Sequence, residues 1–173
     1  MGEFFNVSTR FGSKISGMPI TNLQIRPVKQ EDSSAVARLA GQLGYPTDAS
    51  TMRARLAALF ADPRHSLFIA EGDGQVVGWI YLLSGADLLT GPTAEIGGLV
   101  VDQESRGQGI GNALLDFATE WSQQKGCVEL RVRSNTAREV RVRDFYLSAG
   151  FELVKTQYML KKTVNCESRL IRE

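Results

Sequence analysis

Residues Ala94–Trp121 read AEIGGLVVDQESRGQGIGNALLDFATEW and place a glycine-rich turn between a strand and a helix. An apolar run from Ile96 to Val101 meets the polar turn Asp102–Ser105. Then come Arg106, Gly107, Gln108, Gly109, Ile110 and Gly111, followed by an amphipathic helix. Such a turn aims several free backbone N–H groups at one spot and adds the positive end of a helix dipole. Glycine at 107, 109 and 111 lets a bulky anion approach the backbone without meeting a Cβ. A pyrophosphate suits such a place.

Two other glycine motifs fail here. A Walker A loop has four residues between its glycines and then Lys-Ser/Thr, and nothing in this stretch supplies that Lys. The dinucleotide fingerprint G-x-G-x-x-G fits Gly107 and Gly109 but asks for glycine or alanine where Asn112 stands. Glu129 lies about where that fold wants its ribose-binding acid, and one carboxylate is weak support.

The chain has 173 residues, enough for one well-buried domain and too few for two comfortable ones. With 43% hydrophobic and 23% charged residues and a net charge of +1, no global field argues for nucleic acid or a membrane surface. No apolar run approaches the roughly 18 residues that span a bilayer. Residues 1–20, MGEFFNVSTRFGSKISGMPI, lack the continuous apolar core of a signal peptide. They read as a flexible leader or an extension added for expression, with Met18 as an alternative start, and residues 164–173 read as a polar tail. Cys127 and Cys166 are too few for a disulfide framework, and His65 is the only histidine, so no zinc cluster can be assembled. The expectation is a cytoplasmic protein with reduced cysteines and no metal.

Around the glycine turn the elements fall in a definite order. Leu23–Val28 reads as a strand. Glu31, Asp32 and Ser33 supply capping oxygens for a helix carrying Val36, Leu39, Ala40 and Leu43 on one face, broken by Gly44-Tyr45-Pro46. Thr47 or Asp48 starts a second helix with Met52, Leu56, Leu59 and Phe60 as its buried stripe, stopped by Asp62-Pro63. Ser66–Glu71 and Gln75–Leu83 flank Gly72-Asp73-Gly74, a strong hairpin signal, and Gly85–Pro92 reads as a loop. After the strand Ala94–Val101, the next helix should bury Ile110, Ala113, Leu114, Phe117, Ala118 and Trp121 and end at Gly126. Cys127–Arg133 alternates as a strand with Val128, Leu130 and Val132 on one side. A helix over about Thr136–Ser148 carries Val142, Phe145, Tyr146 and Ala149 on one face and ends at Gly150. Phe151–Val154 and Gln157–Lys162 then close the sheet as a hairpin. Residues 21–163 thus read as one α/β domain, a mixed central sheet of six to seven strands flanked by about four helices.

Arg106, Gly109 and Gly111 match the pattern Arg/Gln-x-x-Gly-x-Gly/Ala, which resembles the acetyl-CoA-binding signature of the GNAT superfamily of N-acetyltransferases. Ser134-Asn135 with Phe145-Tyr146-Leu147-Ser148-Ala149-Gly150-Phe151 resembles a second signature of that family, an Asn after the fifth strand followed by F-Y-x-x-x-G-F. The element order over roughly residues 23–162 is also that of the GNAT fold. The resemblance implies acetyl-CoA as cosubstrate, a primary amine as acceptor, and direct attack in a ternary complex without a metal or a covalent enzyme intermediate. A strand that splays from its neighbour to open a slot for the cofactor is implied as well.

Acyl transfer to an amine needs a neutral amine, a stabilised carbonyl oxygen and a proton for the departing thiolate. The backbone N–H groups of Arg106, Gly107, Gln108, Gly109, Ile110 and Gly111 are candidates for the phosphates, with the Arg106 side chain as a charged auxiliary. The resemblance assigns main-chain groups of Leu99, Val100 and Val101 to the pantetheine and acetyl carbonyl, and Gly97-Gly98 fits a bulge or close backbone approach. Tyr146 matches the family's tyrosine near the cofactor sulfur and is the candidate general acid, the other reading being a core aromatic. Asn135 could hold the cofactor or cap the following helix. Glu95 is the candidate base, also readable as an exposed charge at a strand end. At about 3.3 Å per residue it lies some 13 Å along the strand from Leu99 and would act through a water.

Tyr81 and Asp87 are weaker candidates for a substrate wall, and His65, without a partner in these motifs, reads as a surface residue. The family shapes its acceptor site from the first two helices, here roughly Leu43 to Phe60, where no acidic cluster demands a polycation. A small amine, an amino-acid derivative and a peptide amine all stay open, and a homodimer rests on analogy alone. The alternative from another class is a non-catalytic acyl-CoA-binding sensor that kept the glycine turn.

Overall fold

The computed structural model describes residues 5–6, 20–134 and 140–163. They fall into two compact units, Met1–Arg138 and Glu139–Glu173.

The first unit is built on a sheet in the order β1-β2-β3-β4-β5-β6. Its strands are β1 (Phe5–Asn6), β2 (Leu23–Pro27), β3 (His65–Gly72), β4 (Gln75–Asp87), β5 (Gly91–Val101) and β6 (Glu129–Val132). All neighbours run antiparallel except β5 and β6, which are parallel because α3 (Ile110–Gln124) carries the chain back between them. Helices α1 (Ser33–Gln42) and α2 (Ala49–Phe60) connect β2 to β3. Asp48 caps α2, its carboxylate accepting the Thr51 N–H at 2.8 Å.

One layer of core joins Val36, Leu39 and Ala40 of α1 and Met52 and Leu56 of α2 to Ile69, Trp79 and Val100 of the sheet. Phe60, expected in the α2 stripe, is exposed at the last residue of the helix. In α3 all six expected apolar positions are buried, with Leu114 fully so. Phe68 of β3 packs edge-on against Phe117 at 4.6 Å between ring centroids.

The β3–β4 hairpin turns on Asp73 and Gly74 alone, both at positive φ (49° and 78°), the conformation that a two-residue turn between twisted strands requires. The pairing then slips by one residue between Ala70 and Glu71, so that His65 stands opposite Leu83 and Leu67 opposite Tyr81. The expected loop Gly85–Pro92 is instead mostly strand. β4 runs to Asp87 and β5 starts at Gly91, because the Asp87 carboxylate accepts the N–H groups of Leu89 and Thr90 and closes a tight turn.

In the second unit α4 (Val140–Ser148) ends at Gly150, whose φ is 86°. Residues 135–139, with the expected start of this helix, lie outside the described residues. The closing hairpin does not form: Phe151–Val154 and Gln157–Lys162 have no regular structure, and Leu153, Tyr158 and Leu160 are exposed. Alternating side chains state which face a strand would bury, but a strand exists only where an edge accepts its backbone groups, and a lone hairpin is marginal in water. The count of six to seven strands is therefore not confirmed. Five expected strands form, and the two-residue β1 adds to them at the β2 edge.

Candidate active site

β5 is where the site begins. Its pairing with β6 covers Thr93 to Ile96 and stops there, while its pairing with β4 continues to Val101. From Gly97 to Val101 the edge turned away from β4 has no strand partner among the described residues. β6 ends at Val132, so the pairing of the two parallel strands goes no further than Ile96. Main-chain groups alternate in direction along a strand, and because the Asp102 N–H bonds to the Val77 carbonyl, Leu99 and Val101 turn theirs to the open edge while Val100 turns its own to β4.

A bulge marks the parting point. The β4–β5 register shifts between Tyr81 and Leu82, leaving Gly97 unpaired between Ile96 and Gly98. A Cβ at Gly97 would stand 2.6 Å from Cδ1 of Tyr81 and 2.8 Å from Cδ1 of Leu83. Only glycine lets the Tyr81 ring lie across the strand here.

Beyond Val101 the chain makes one 3-10 turn, Gln103–Ser105, and enters the glycine stretch. Gly107 and Gly109 have φ of 77° and 78°, and Gly109 caps α3 without any side-chain cap. The Ala113 N–H makes the first bond of the helix, to the Gly109 carbonyl, so the N–H groups of Ile110, Gly111 and Asn112 have no partner in the helix. Nothing lies within 4 Å of a Cβ built on Gly107, so open space adjoins the turn. Arg106 is exposed, and its Nε donates to the Val101 carbonyl at 3.2 Å, which ties the guanidinium to the strand end. Gln108 is half-buried and its Oε1 accepts the Ile20 N–H at 3.0 Å.

Two contacts that sequence reasoning missed hold this turn to α1. Arg38 pairs with the buried Asp102 carboxylate and donates to the Val76 carbonyl at 3.0 Å, and Oε1 of Gln42 accepts the Gln103 N–H at 3.0 Å. Burial pushes the Asp102 carboxyl up, but the hydrogen bond from Arg38 and the N–H of Glu104 outweigh it and hold it below the usual range.

Glu95 is partly exposed and its carboxylate meets Nη2 of Arg133 at 2.9 Å. Tyr81 shares its face, and burial, with the charges of Asp62 and Glu95, pushes the Tyr81 hydroxyl up. His65 is not a surface residue: it is half-buried, with Nδ1 2.5 Å from the Tyr81 hydroxyl and the rings stacked 5.8 Å apart. The two lie diagonally across the β3–β4 pair, a closeness that depends on the one-residue slip near Ala70. Asp87 is committed to its turn and to Arg131, 3.7 Å away, rather than to a substrate wall.

Tyr146 stands on α4, half-buried between Phe145 and Phe151, whose ring centroids lie 5.2 and 5.5 Å from its own. Burial raises its hydroxyl above the ordinary value, so the proton stays on oxygen at neutral pH. Asn135 lies outside the described residues. Among the described residues no three His, Cys, Asp or Glu side chains are grouped to hold a metal ion, and no helix is long and apolar enough to cross a membrane.

Residues 34–151 match the model of the acetyltransferase (GNAT) family. The chain belongs to the GNAT family. An aminoglycoside N(6')-acetyltransferase type 1 of Stenotrophomonas maltophilia is 30% identical over 133 residues, covering 74% of this chain and 85% of that protein. A glucosamine 6-phosphate N-acetyltransferase of Trypanosoma brucei brucei is 29% identical over 149 residues, 82% of this chain and 97% of the relative. In the solved structure of an aminoglycoside antibiotic 6'-N-acetyltransferase from Acinetobacter baumannii the same fold recurs, with a TM-score of 0.73 at 19% identity over 83% of this chain and all (100%) of that one. GNAT acetyltransferases use acetyl-CoA. Two left-handed glycines, uncapped N–H groups and adjoining open space fit its diphosphate arm, and the free edge of β5 fits its amide-bearing arm.

Proposed function

We propose that the protein transfers the acetyl group of acetyl-CoA to a primary amine of a small molecule, by direct attack in a ternary complex. The observation that carries this reading is the open edge of β5 running directly into the uncapped start of α3. Acetyl-CoA, when bound, supplies an acyl group already activated as a thioester. N–H groups from Gly107 to Gly111 hold the diphosphate, with Arg106 as a charged neighbour. Main-chain groups of Leu99 and Val101 orient the pantetheine and the carbonyl oxygen. Asn135 contributes a further contact to the cofactor. Glu95 accepts the proton of the amine through a water. Tyr146, its hydroxyl kept protonated by burial, gives a proton to the departing thiolate. Both named relatives carry amino sugars in their names, which supports a small amine as acceptor over a peptide.

The test follows thiol release from acetyl-CoA with an aminoglycoside, glucosamine 6-phosphate, a polyamine and a peptide amine. Release well above background with at least one acceptor is expected, falling about 100-fold in Tyr146→Phe. CoA binding without release on any of the four would overturn the transferase reading in favour of a sensor.

A further inference from the structure

Three side chains, Asp62, His65 and Tyr81, form a connected polar group that the roles above leave unused. Oδ2 of Asp62 lies 3.5 Å from Nε2 of His65, and Nδ1 of His65 lies 2.5 Å from the Tyr81 hydroxyl. Asp62 is itself fixed: it accepts the Arg64 N–H at 3.0 Å and the Arg64 guanidinium at 2.6 Å. Those bonds hold its carboxyl far below the usual range, so it stays charged across the neutral range. A carboxylate at Nε2 favours the tautomer with the proton there and leaves Nδ1 to accept.

The position of this chain of groups matters as much as its order. The Tyr81 ring lies against Gly97 and pairs with Gly98, where the open edge of β5 begins. One edge of its ring therefore stands beside the start of the slot assigned to the thioester, and its hydroxyl meets His65 and lies within reach of the Glu95 charge. The charged groups acting on Tyr81 are Asp62, before β3, and Glu95, on β5. Each has an arginine partner, Arg64 and Arg133 respectively.

We propose that Tyr81 contacts the acceptor's ammonium group and passes its proton to His65, which Asp62 orients. This rests on the transferase reading and adds a second outlet for the proton assigned above to Glu95. An N–H bond of the ammonium breaks as an O–H bond forms at Tyr81. In concert the original O–H proton of Tyr81 moves to Nδ1 of His65. The imidazolium faces the Asp62 carboxylate and later returns the proton to solvent, while the neutral amine attacks. Tyr81 is thus a catalytic residue for a primary ammonium, and His65 and Asp62 act through it.

His65 is the only histidine in the sequence, so its ring nitrogens can be read by nitrogen NMR without assignment. The protein is expected to show the tautomer protonated at Nε2, with the Nδ1 resonance moving in Tyr81→Phe. Thiol release with acetyl-CoA and the fastest of the four acceptors is then measured. Tyr81→Phe and His65→Gln should each lower kcat/KM several-fold at neutral pH, less than loss of every outlet for the proton would, with CoA affinity unchanged. Should His65→Gln not fold, Tyr81→Phe, which loses one oxygen, decides alone. A histidine protonated at Nδ1, or variants with the parent's rate, would overturn the relay while leaving the transferase reading intact. A parent that binds CoA and releases no thiol would overturn that reading first.

Discussion

Replacing Gly109 by alanine separates the two tasks of the glycine turn, shaping the backbone and admitting an anion. Gly109 sits at φ 78°, ψ −2°, as the N-cap of α3. An L-residue there costs roughly 1–2 kcal/mol, partly offset by about 0.4–1 kcal/mol because the unfolded chain loses freedom. The net destabilisation is about 1 kcal/mol, a fall of roughly 2–4 °C in melting temperature for a domain this size. Gly126 provides the control. It lies at the other end of the same helix with φ 70° and nothing within 4 Å of a built Cβ, so Gly126→Ala carries the same backbone strain. Only at 109 does the added methyl crowd N–H groups that are to meet a diphosphate. Weakening one charge-assisted hydrogen bond there costs about 1.5–3 kcal/mol, and at 1.4 kcal/mol per decade the Kd for CoA should rise at least about tenfold. Calorimetry of CoA binding, alongside thermal melts, checks both parts. Equal Kd values for Gly109→Ala, Gly126→Ala and the parent would refute the placement of the diphosphate.

Two further outcomes follow from contacts around the turn. Arg38→Ala leaves the buried Asp102 carboxylate with only the Glu104 N–H and Gln42 as partners and should cost about 1–3 kcal/mol in urea unfolding at neutral pH. Because the folded Asp102 carboxyl is depressed, that loss is fully present above the ordinary carboxylate range and shrinks as pH falls through the folded value; an undiminished loss in strong acid would count against the pair. Gly97→Ala places its methyl 2.6 Å from the Tyr81 ring, so the ring must move; a cost of about 1–3 kcal/mol in a thermal melt and a shifted His65 nitrogen spectrum are expected, and an unchanged spectrum would show that the ring stayed.

Much of this molecule was legible from its residues because the signals were local. The period of Ile110, Ala113, Leu114, Phe117, Ala118 and Trp121 specified α3 and its buried face, and all six are buried. Glycines at 107, 109 and 111 specified a turn with free N–H groups open to an anion, and the structure sets the first two at positive φ. Asp73-Gly74 specified the tight hairpin. Each is a matter of backbone sterics or side-chain period within a few residues.

What only the tertiary structure decided depends on register and on partners far along the chain. A pairing carried straight from the β3–β4 turn would set His65 opposite Leu82 and put its ring on the other face from Tyr81; the slip at Ala70 brings the two together. The second slip, at Gly97, lays Tyr81 over β5 where that strand parts from β6. Arg38 and Asp102 are 64 residues apart and meet only because α1 packs on the sheet. In the other direction, Phe151–Val154 and Gln157–Lys162 were expected to close the sheet as a hairpin, yet they have no regular structure. Local sterics act on every chain with these residues, whereas a one-residue shift in pairing changes which side chains share a face, and the free energy that chooses it is summed over the whole packed sheet.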